Sequence, residues 1–321
     1  MGFMKRIGVA VIGCGAWGFQ HARVYKELPE TDLIWVSDID DHRSRVVGDR
    51  YRAKQTTEFI KVLDDPEVDA VSICTPTVTH ADIALTAISN GKHVLVEKPM
   101  TDTVYEAEKL VSSATRHDVC LSVGFVERFN PAVSETLRLI GEGEIGQVLM
   151  VHTRRVTRRP NRVGDIGVVK DLAIHDIDVV RLLMGEEPRL VFSSSGSLLH
   201  RFEDYTNITL CYEDDRNAFI EANWLTPKKV RTLTVTGSEG IIHVEYINQE
   251  LLLEKNEYIH QPLKEYREPL YLELKSFADS IINGTEPKVT GHDGLEALKV
   301  CEAALESARI SQAVNYGDFT P

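Results

Sequence analysis

Cysteine is scarce in this 321-residue sequence: Cys14, Cys74, Cys120, Cys211 and Cys301 lie far apart and form no C-x-x-C pair. That spacing shows neither a zinc knuckle nor a dithiol redox motif. An odd set of isolated thiols fits a reducing cytoplasm, the expected location. Long apolar runs are also missing. None approaches the roughly 20 residues of a bilayer-spanning helix. Met1-Gly2-Phe3-Met4-Lys5-Arg6 leads into a strand without a separate apolar segment and cleavage site, so no secretory signal is expected. Positive charge is in deficit. The 36 Lys and Arg are outnumbered by 49 Asp and Glu, for a formal net charge of -13. Such a balance repels phosphate backbones and anionic bilayers at long range. Neither nucleic acid nor a membrane is expected as a partner, and a small phosphate-bearing ligand would need a local basic pocket.

The composition is that of a globular protein, with 43% hydrophobic and 26% charged residues. The length suggests two domains of roughly 100–200 residues each. Short unbroken apolar runs recur at Ile7–Ile12, Leu33–Val36, Ala70–Cys74, His93–Val96 and Leu121–Gly124. Helical stretches alternate with them: Gly15–Leu28, Arg43–Ala53, His80–Asn90 and Thr103–His117, with Gly91 after Asn90 as a C-terminal cap. Strands that lack alternation are covered on both faces. Residues 1–124 are therefore expected to form a doubly wound parallel sheet with right-handed crossovers. After Gly124 the texture changes. Ala132–Leu139 and Leu172–Met184 read as helices, whereas Thr206–Leu210, Ala218–Ala222 and Arg231–Val235 alternate like half-covered strands. Leu270–Ile282 and Gly294–Ser311 read as closing helices. The fold class is α/β, with residues 125–321 forming an α+β domain on a mainly antiparallel sheet.

Gly13-Cys14-Gly15-Ala16-Trp17-Gly18 is G-x-G-x-x-G, placed between a strand and a helix. Gly13 permits the tight turn, Gly15 lets a pyrophosphate approach the backbone, and Gly18 permits close helix–strand packing. The helix start, with Ala16 and Trp17, faces the anion. Asp38 ends the second strand, where a carboxylate accepts from an adenosine ribose diol and repels a 2′-phosphate. The expected cofactor is NAD rather than NADP. Glu97-Lys98-Pro99 follows another strand, and Thr75-Pro76-Thr77 follows the strand beside it. Ligands of such sheets bind beyond the carboxyl ends of the strands, which puts Lys98 near the nicotinamide end.

Together the glycine loop, Cys74-Thr75-Pro76-Thr77 with His80, and Glu97-Lys98-Pro99 resemble the Gfo/Idh/MocA oxidoreductases over essentially the whole chain. The resemblance implies a Rossmann domain joined to an α/β domain with a large open sheet. It implies that Lys98 lies between the nicotinamide and a substrate hydroxyl, and that Thr75, Pro76, His80 and Glu97 border the cofactor. A homo-oligomer formed through the C-terminal sheet is expected.

Asp171 and His175, four residues apart at a helix start, share a face, and Asp178 stands three further on. A histidine can take a proton from an alcohol while hydride leaves its carbon, and a carboxylate beside it fixes the tautomer. The resemblance gives the D-x-x-x-H pair to the active site, with His175 as general base facing Lys98 across an interdomain cleft. A metal site built on Asp171, His175 and Asp178 lacks a clear further anchor, so no metal is expected. A solvated helix face is the plainer alternative.

Phe125-Val126-Glu127-Arg128-Phe129-Asn130-Pro131, Asn223–Pro227 and Val244–Gln249 resemble the UDP-N-acetylglucosamine 3-dehydrogenase branch of that family. This implies oxidation of a sugar 3-hydroxyl to a ketone, with Glu127, Arg128 and Asn130 as further substrate contacts. Arg154-Arg155, Arg158-Arg159 and Arg162 form a basic cluster in an acidic chain, read as a loop before the Asp171 helix. Guanidinium groups suit a pyrophosphate, so Arg158 and Arg159 are candidate substrate ligands. An inositol or free-polyol dehydrogenase and a non-catalytic dinucleotide sensor are the alternatives. Lys98, Asp171 and His175 together favour an enzyme.

Overall fold

The computed structural model describes residues 6–158, 165–256, 258–261 and 266–320. The chain runs β1 (Ile7–Ile12), α1 (Ala16–Glu27), β2 (Thr31–Ser37), α2 (Asp41–Tyr51), β3 (Lys54–Thr56), α3 (Phe59–Leu63), β4 (Ala70–Ile73), α4 (His80–Ser89), β5 (His93–Glu97), α5 (Val104–His117) and β6 (Leu121–Gly124). It continues through α6 (Pro131–Gly141), β7 (Val148–Arg158), α7 (Ile174–Met184), β8 (Leu190–Gly196), β9 (Tyr205–Cys211), β10 (Asn217–Asn223), β11 (Leu225–Gly237), β12 (Ile241–Glu245), β13 (Glu250–Lys255), β14 (Tyr258–His260), α8 (Pro269–Asn283), α9 (Gly291–Ile310) and β15 (Val314–Asn315).

In the first unit the strands lie in the order β3-β2-β1-β4-β5-β6, and all pairs are parallel. The order reverses between β1 and β4, so the ligand crevice opens beyond their carboxyl ends. β1 and β4 are buried at every position, as a sheet covered on both faces requires. Two of the covering helices start at side-chain caps: Asp40 accepts from the His42 and Arg43 amides at α2, and Thr103 forms a capping box with Glu106 at α5.

A division at Gly124 would leave every later residue in the second domain. Instead, Leu270–Leu295 belongs to the first unit with the chain up to Val126, and Glu127–Pro269 with the chain from Glu296 onward makes the second. The cause is apolar burial. Leu270, Leu274, Phe277 and Ala278 of α8 share one core with Val24, Tyr25, Leu28 and Leu33. An amphipathic helix shows in its sequence which face it buries, but not against what.

The second unit carries a sheet ordered β14-β13-β12-β11-β7-β10-β9-β8-β15, antiparallel except where β10 runs parallel to β7. Its strands alternate in burial; along β10 Ala218, Ile220 and Ala222 are buried while Phe219 is exposed. β7 reaches Arg158 and so takes in the first part of the arginine cluster expected in a loop. Among the described residues, no helix is long and apolar enough to cross a membrane.

Candidate active site

At the carboxyl end of β1, Gly13 has φ +97°, and a Cβ there would come within 2.7 Å of the Cys74 backbone. A Cβ on Gly18 would lie 1.8 Å from the Gly13 carbonyl oxygen. Both positions therefore demand glycine, one for the turn and one for helix-to-strand contact. Gly15 differs: a Cβ there would meet nothing within 4 Å. Its backbone borders open space at the start of α1, whose first turn carries no acidic side chain. Asp38 is held against the same loop, Oδ2 accepting from the Cys14 amide at 2.7 Å and Oδ1 from the Asp40 amide at 2.9 Å. An open backbone cradle at a positive helix end, with a carboxylate beside it, fits a dinucleotide.

Two further strand ends follow on one side of this loop. After β4, Thr75 accepts from the Thr79 hydroxyl at 2.8 Å, and Pro76 is exposed. After β5, Lys98 is half-buried between the buried residues Glu97 and Pro99. Glu97 accepts from Trp17 Nε1 at 2.6 Å and lies 3.1 Å from His21 Nε2. His80 is buried between the carbonyls of Thr75 and Pro99. Glu97 and His80, which the family resemblance places at the border of the cofactor, are thus both held by protein groups.

In the second unit Asp171 lies in a π-helical turn, Val169–Ala173, that runs into α7. The wider turn still brings residues four apart onto neighbouring directions, and such turns recur at functional sites. Asp171 is buried, and His175 is partly accessible. Glu203 sets where this turn begins, with its carbonyl accepting from the Val168 amide and its Oε1 from the Val169 amide, each at 3.0 Å. The same carboxylate fills the space a Cβ on Gly167 would need, at 2.1 Å. Neither residue is marked by any sequence motif, because their pairing spans a long stretch of chain.

Several expected substrate contacts are built into the protein interior. Arg128 Nε and Nη2 grip the buried Asp178 at 2.7 and 2.6 Å. Asn130 caps α6 through the Ala132 amide and donates to the Tyr246 carbonyl at 3.0 Å. Glu127 accepts from Arg155 at 2.8 Å and from Arg231 at 2.9 Å. Burial would raise the Glu127 carboxyl, but the two guanidinium charges hold it below its ordinary value.

The arginine cluster is likewise divided. Arg154, Arg155 and Arg158 lie on β7 instead of in a loop, and successive strand residues point to opposite faces. Arg154 pairs with Glu221 at 2.9 Å near the surface. Arg155 is 1% exposed, bound through Nε and Nη2 to Asp176 at 2.8 and 3.0 Å, with its guanidinium 5.1 Å from the Tyr246 ring centre. Arg158 is exposed. Arg159 and Arg162 lie outside the described residues. Among the described residues, no group of three or more His, Cys, Asp or Glu is gathered to hold a metal ion.

A parallel sheet with a dinucleotide cradle, joined to a mixed sheet bearing a carboxylate–histidine pair, defines a two-unit dinucleotide-binding protein. The chain belongs to the Gfo/Idh/MocA oxidoreductase family: the NAD-binding Rossmann fold of that family matches residues 7–125, and its C-terminal alpha/beta domain matches residues 138–316. It is an NAD-dependent oxidoreductase of this family. It is similar to the scyllo-inositol 2-dehydrogenase (NAD(+)) of Bacillus subtilis, 32% identical over 95% of this chain and 94% of the relative. It is also similar to the UDP-N-acetylglucosamine 3-dehydrogenase of Acidithiobacillus ferrooxidans, 30% identical over 77% of each chain. The solved structure of that second enzyme, GnnA, superposes with a TM-score of 0.89 at 27% identity, covering 96% of this chain and 99% of its own.

Proposed function

We propose that this protein oxidises a secondary hydroxyl on a sugar ring to a ketone, the hydroxyl being the 3-hydroxyl of UDP-N-acetylglucosamine. The observation that carries the oxidation is a buried Asp171 four residues from an accessible His175, in a chain whose other unit holds the NAD cradle. His175 takes the hydroxyl proton, and Asp171 keeps the imidazole in the accepting tautomer and stabilises the imidazolium. The Lys98 ammonium stabilises the negative charge that grows on the substrate oxygen. Bound NAD supplies the acceptor for the hydride that leaves the same carbon. Gly13, Gly15, Ala16, Trp17 and Gly18 form its pyrophosphate cradle, Thr75 and Pro76 border it, and Asp38 receives the adenosine ribose. Asp38 makes NAD the preferred dinucleotide, so Asp38→Ala is expected to narrow the ratio of kcat/KM between NAD and NADP. An unchanged ratio would remove Asp38 from that role.

The nucleotide-sugar assignment has support beyond the relatives. β11 pairs Leu225 with Arg158 and Val230 with Val156, so residues 226–229 bulge opposite Thr157 alone. The bulge carries exposed Lys228 and Lys229 beside exposed Arg158, a basic group suited to a pyrophosphate that replaces the dispersed arginine run. A free cyclitol is the second reading, favoured by 32% identity to the scyllo-inositol enzyme along nearly the whole chain. UDP-N-acetylglucosamine and scyllo-inositol, each followed by NADH absorbance, separate the two. UDP is expected to compete with the substrate, less so as salt rises and in Arg158→Ala or Lys228→Ala. Turnover of scyllo-inositol without UDP competition would establish the cyclitol reading instead.

Self-association through the sheet of the second unit is proposed as well. Phe192 and Phe219 flank Thr209 across β8, β9 and β10, and both rings are exposed. Phe219→Glu should lower the mass seen by sedimentation.

A further inference from the structure

Lys98 lies between two residues that are each fastened to another part of the first unit. On its amino side Glu97 ends β5 with a side chain only 10% exposed. Its Oε1 accepts from Trp17 Nε1 at 2.6 Å and lies 3.1 Å from His21 Nε2, both on α1. Its Oε2 accepts from the Lys98 amide at 3.3 Å. Gly124, paired with Glu97 across β5 and β6, leaves the carboxylate its place; a Cβ there would stand 2.5 Å from Oε1. Burial opposes the charge, but the hydrogen bonds from His21 and Trp17 and the nearby Lys98 charge hold the carboxyl below its ordinary value.

On the other side of Lys98, the Pro99 carbonyl lies 2.9 Å from His80 Nδ1, and the Thr75 carbonyl lies 2.8 Å from His80 Nε2. His80 is 1% exposed. Carbonyls only accept, so one contact is a donated hydrogen bond in either neutral tautomer and both are when the ring is doubly protonated. The ring thus ties the loop after β4 to the loop after β5.

We infer that Glu97 and His80 are positioning residues, which fix the backbone on either side of Lys98 against α1 and the loop after β4 and do not bind the dinucleotide. This rests on the catalytic role proposed for Lys98. Misplacement by about 1 Å lowers turnover by around 100-fold without touching a binding contact.

The test uses Glu97→Gln, His80→Asn and Lys98→Met in the full chain. NADH affinity is read from nicotinamide fluorescence. Turnover is measured on whichever of UDP-N-acetylglucosamine and scyllo-inositol the unaltered protein oxidises. Glu97→Gln keeps an oxygen for Trp17 and His21 and loses the acceptor facing the Lys98 amide. Glu97→Gln and His80→Asn are each expected to lower kcat about 10–100-fold, with NADH affinity and substrate KM within about threefold. Lys98→Met should lower kcat by about 10²–10³-fold. In the Lys98→Met background, Glu97→Gln should add almost no further loss, because a residue acting through Lys98 has nothing left to position. A tenfold loss of NADH affinity in Glu97→Gln or His80→Asn would overturn the inference, as would full additivity with Lys98→Met. Normal kcat in Glu97→Gln and His80→Asn with an inactive Lys98→Met would overturn the inference alone. An active Lys98→Met would remove the catalytic role of Lys98 and the inference with it. Gly124→Ala displaces the same carboxylate by another route and should reproduce the Glu97→Gln pattern where that variant does not fold.

Discussion

In the first unit, the residues assigned to the reaction stand in loops that follow parallel strands; in the second, polar residues of comparable density lie along a strand interior and a helix start. The two settings treat neighbouring residues differently. A loop at a strand end is shaped by its backbone, so Glu97, Lys98 and Pro99 stay together as one local feature, each bound differently. On β7 the pleat sends neighbours to opposite faces, so Arg154 ends near solvent and Arg155 in the core. Proximity in sequence therefore means proximity in space at the ends of strands and separation along them.

That contrast can be broken most forcefully at the adjacent arginines. Arg155→Ala would leave Asp176 buried without its guanidinium partner and Glu127 with Arg231 alone, and unfolding by denaturant should show a loss of about 3–5 kcal/mol. Arg154→Ala removes a partly exposed pair with Glu221 and should cost about 0–1 kcal/mol. Similar losses from both would mean that β7 does not sort them as described.

A smaller effect separates two glycines of one loop. Gly18→Ala must push a Cβ against the Gly13 carbonyl and should cost about 1–3 kcal/mol of stability. Gly15→Ala enters open space, so stability should stay within about 0.5 kcal/mol while NAD affinity falls. A Gly15→Ala protein that binds NAD normally would show that the cradle lies elsewhere.

The smallest expected effect compares the buried carboxylates of the two units. Glu97 is held below its ordinary value by hydrogen-bond donors and Glu127 by guanidinium charges, in each case against the opposing effect of burial. A carboxyl whose folded value is depressed adds stability above its unfolded value, and loses it as pH falls through the folded one. Lowering the pH from about 4.5 should thus weaken the protein more than Glu97→Gln, which has no such group to protonate. The gap in melting temperature between the two should narrow toward acid. A constant gap from pH 7 to pH 3 would contradict the assignment.

By itself, the sequence determined whatever depends on neighbouring residues and on simple periodicity. Unbroken apolar runs marked five of the six parallel strands, all but the short polar edge strand β3, G-x-G-x-x-G between a strand and a helix marked the cradle, and alternation marked β9, β10 and the centre of β11. Backbone sterics and the hydrophobic requirement of a two-sided sheet act locally, so these features were legible. Tertiary structure decided which distant groups meet. It returned α8 to the first core, spent Arg128, Asn130 and Glu127 on internal partners, set Glu203 at the start of the Asp171 turn, and put Lys228 and Lys229 in a bulge of β11 that follows the Leu225–Arg158 pair. A buried charge must find an opposite charge wherever the fold supplies one, and that partner can lie a hundred residues away, as Arg231 does from Glu127.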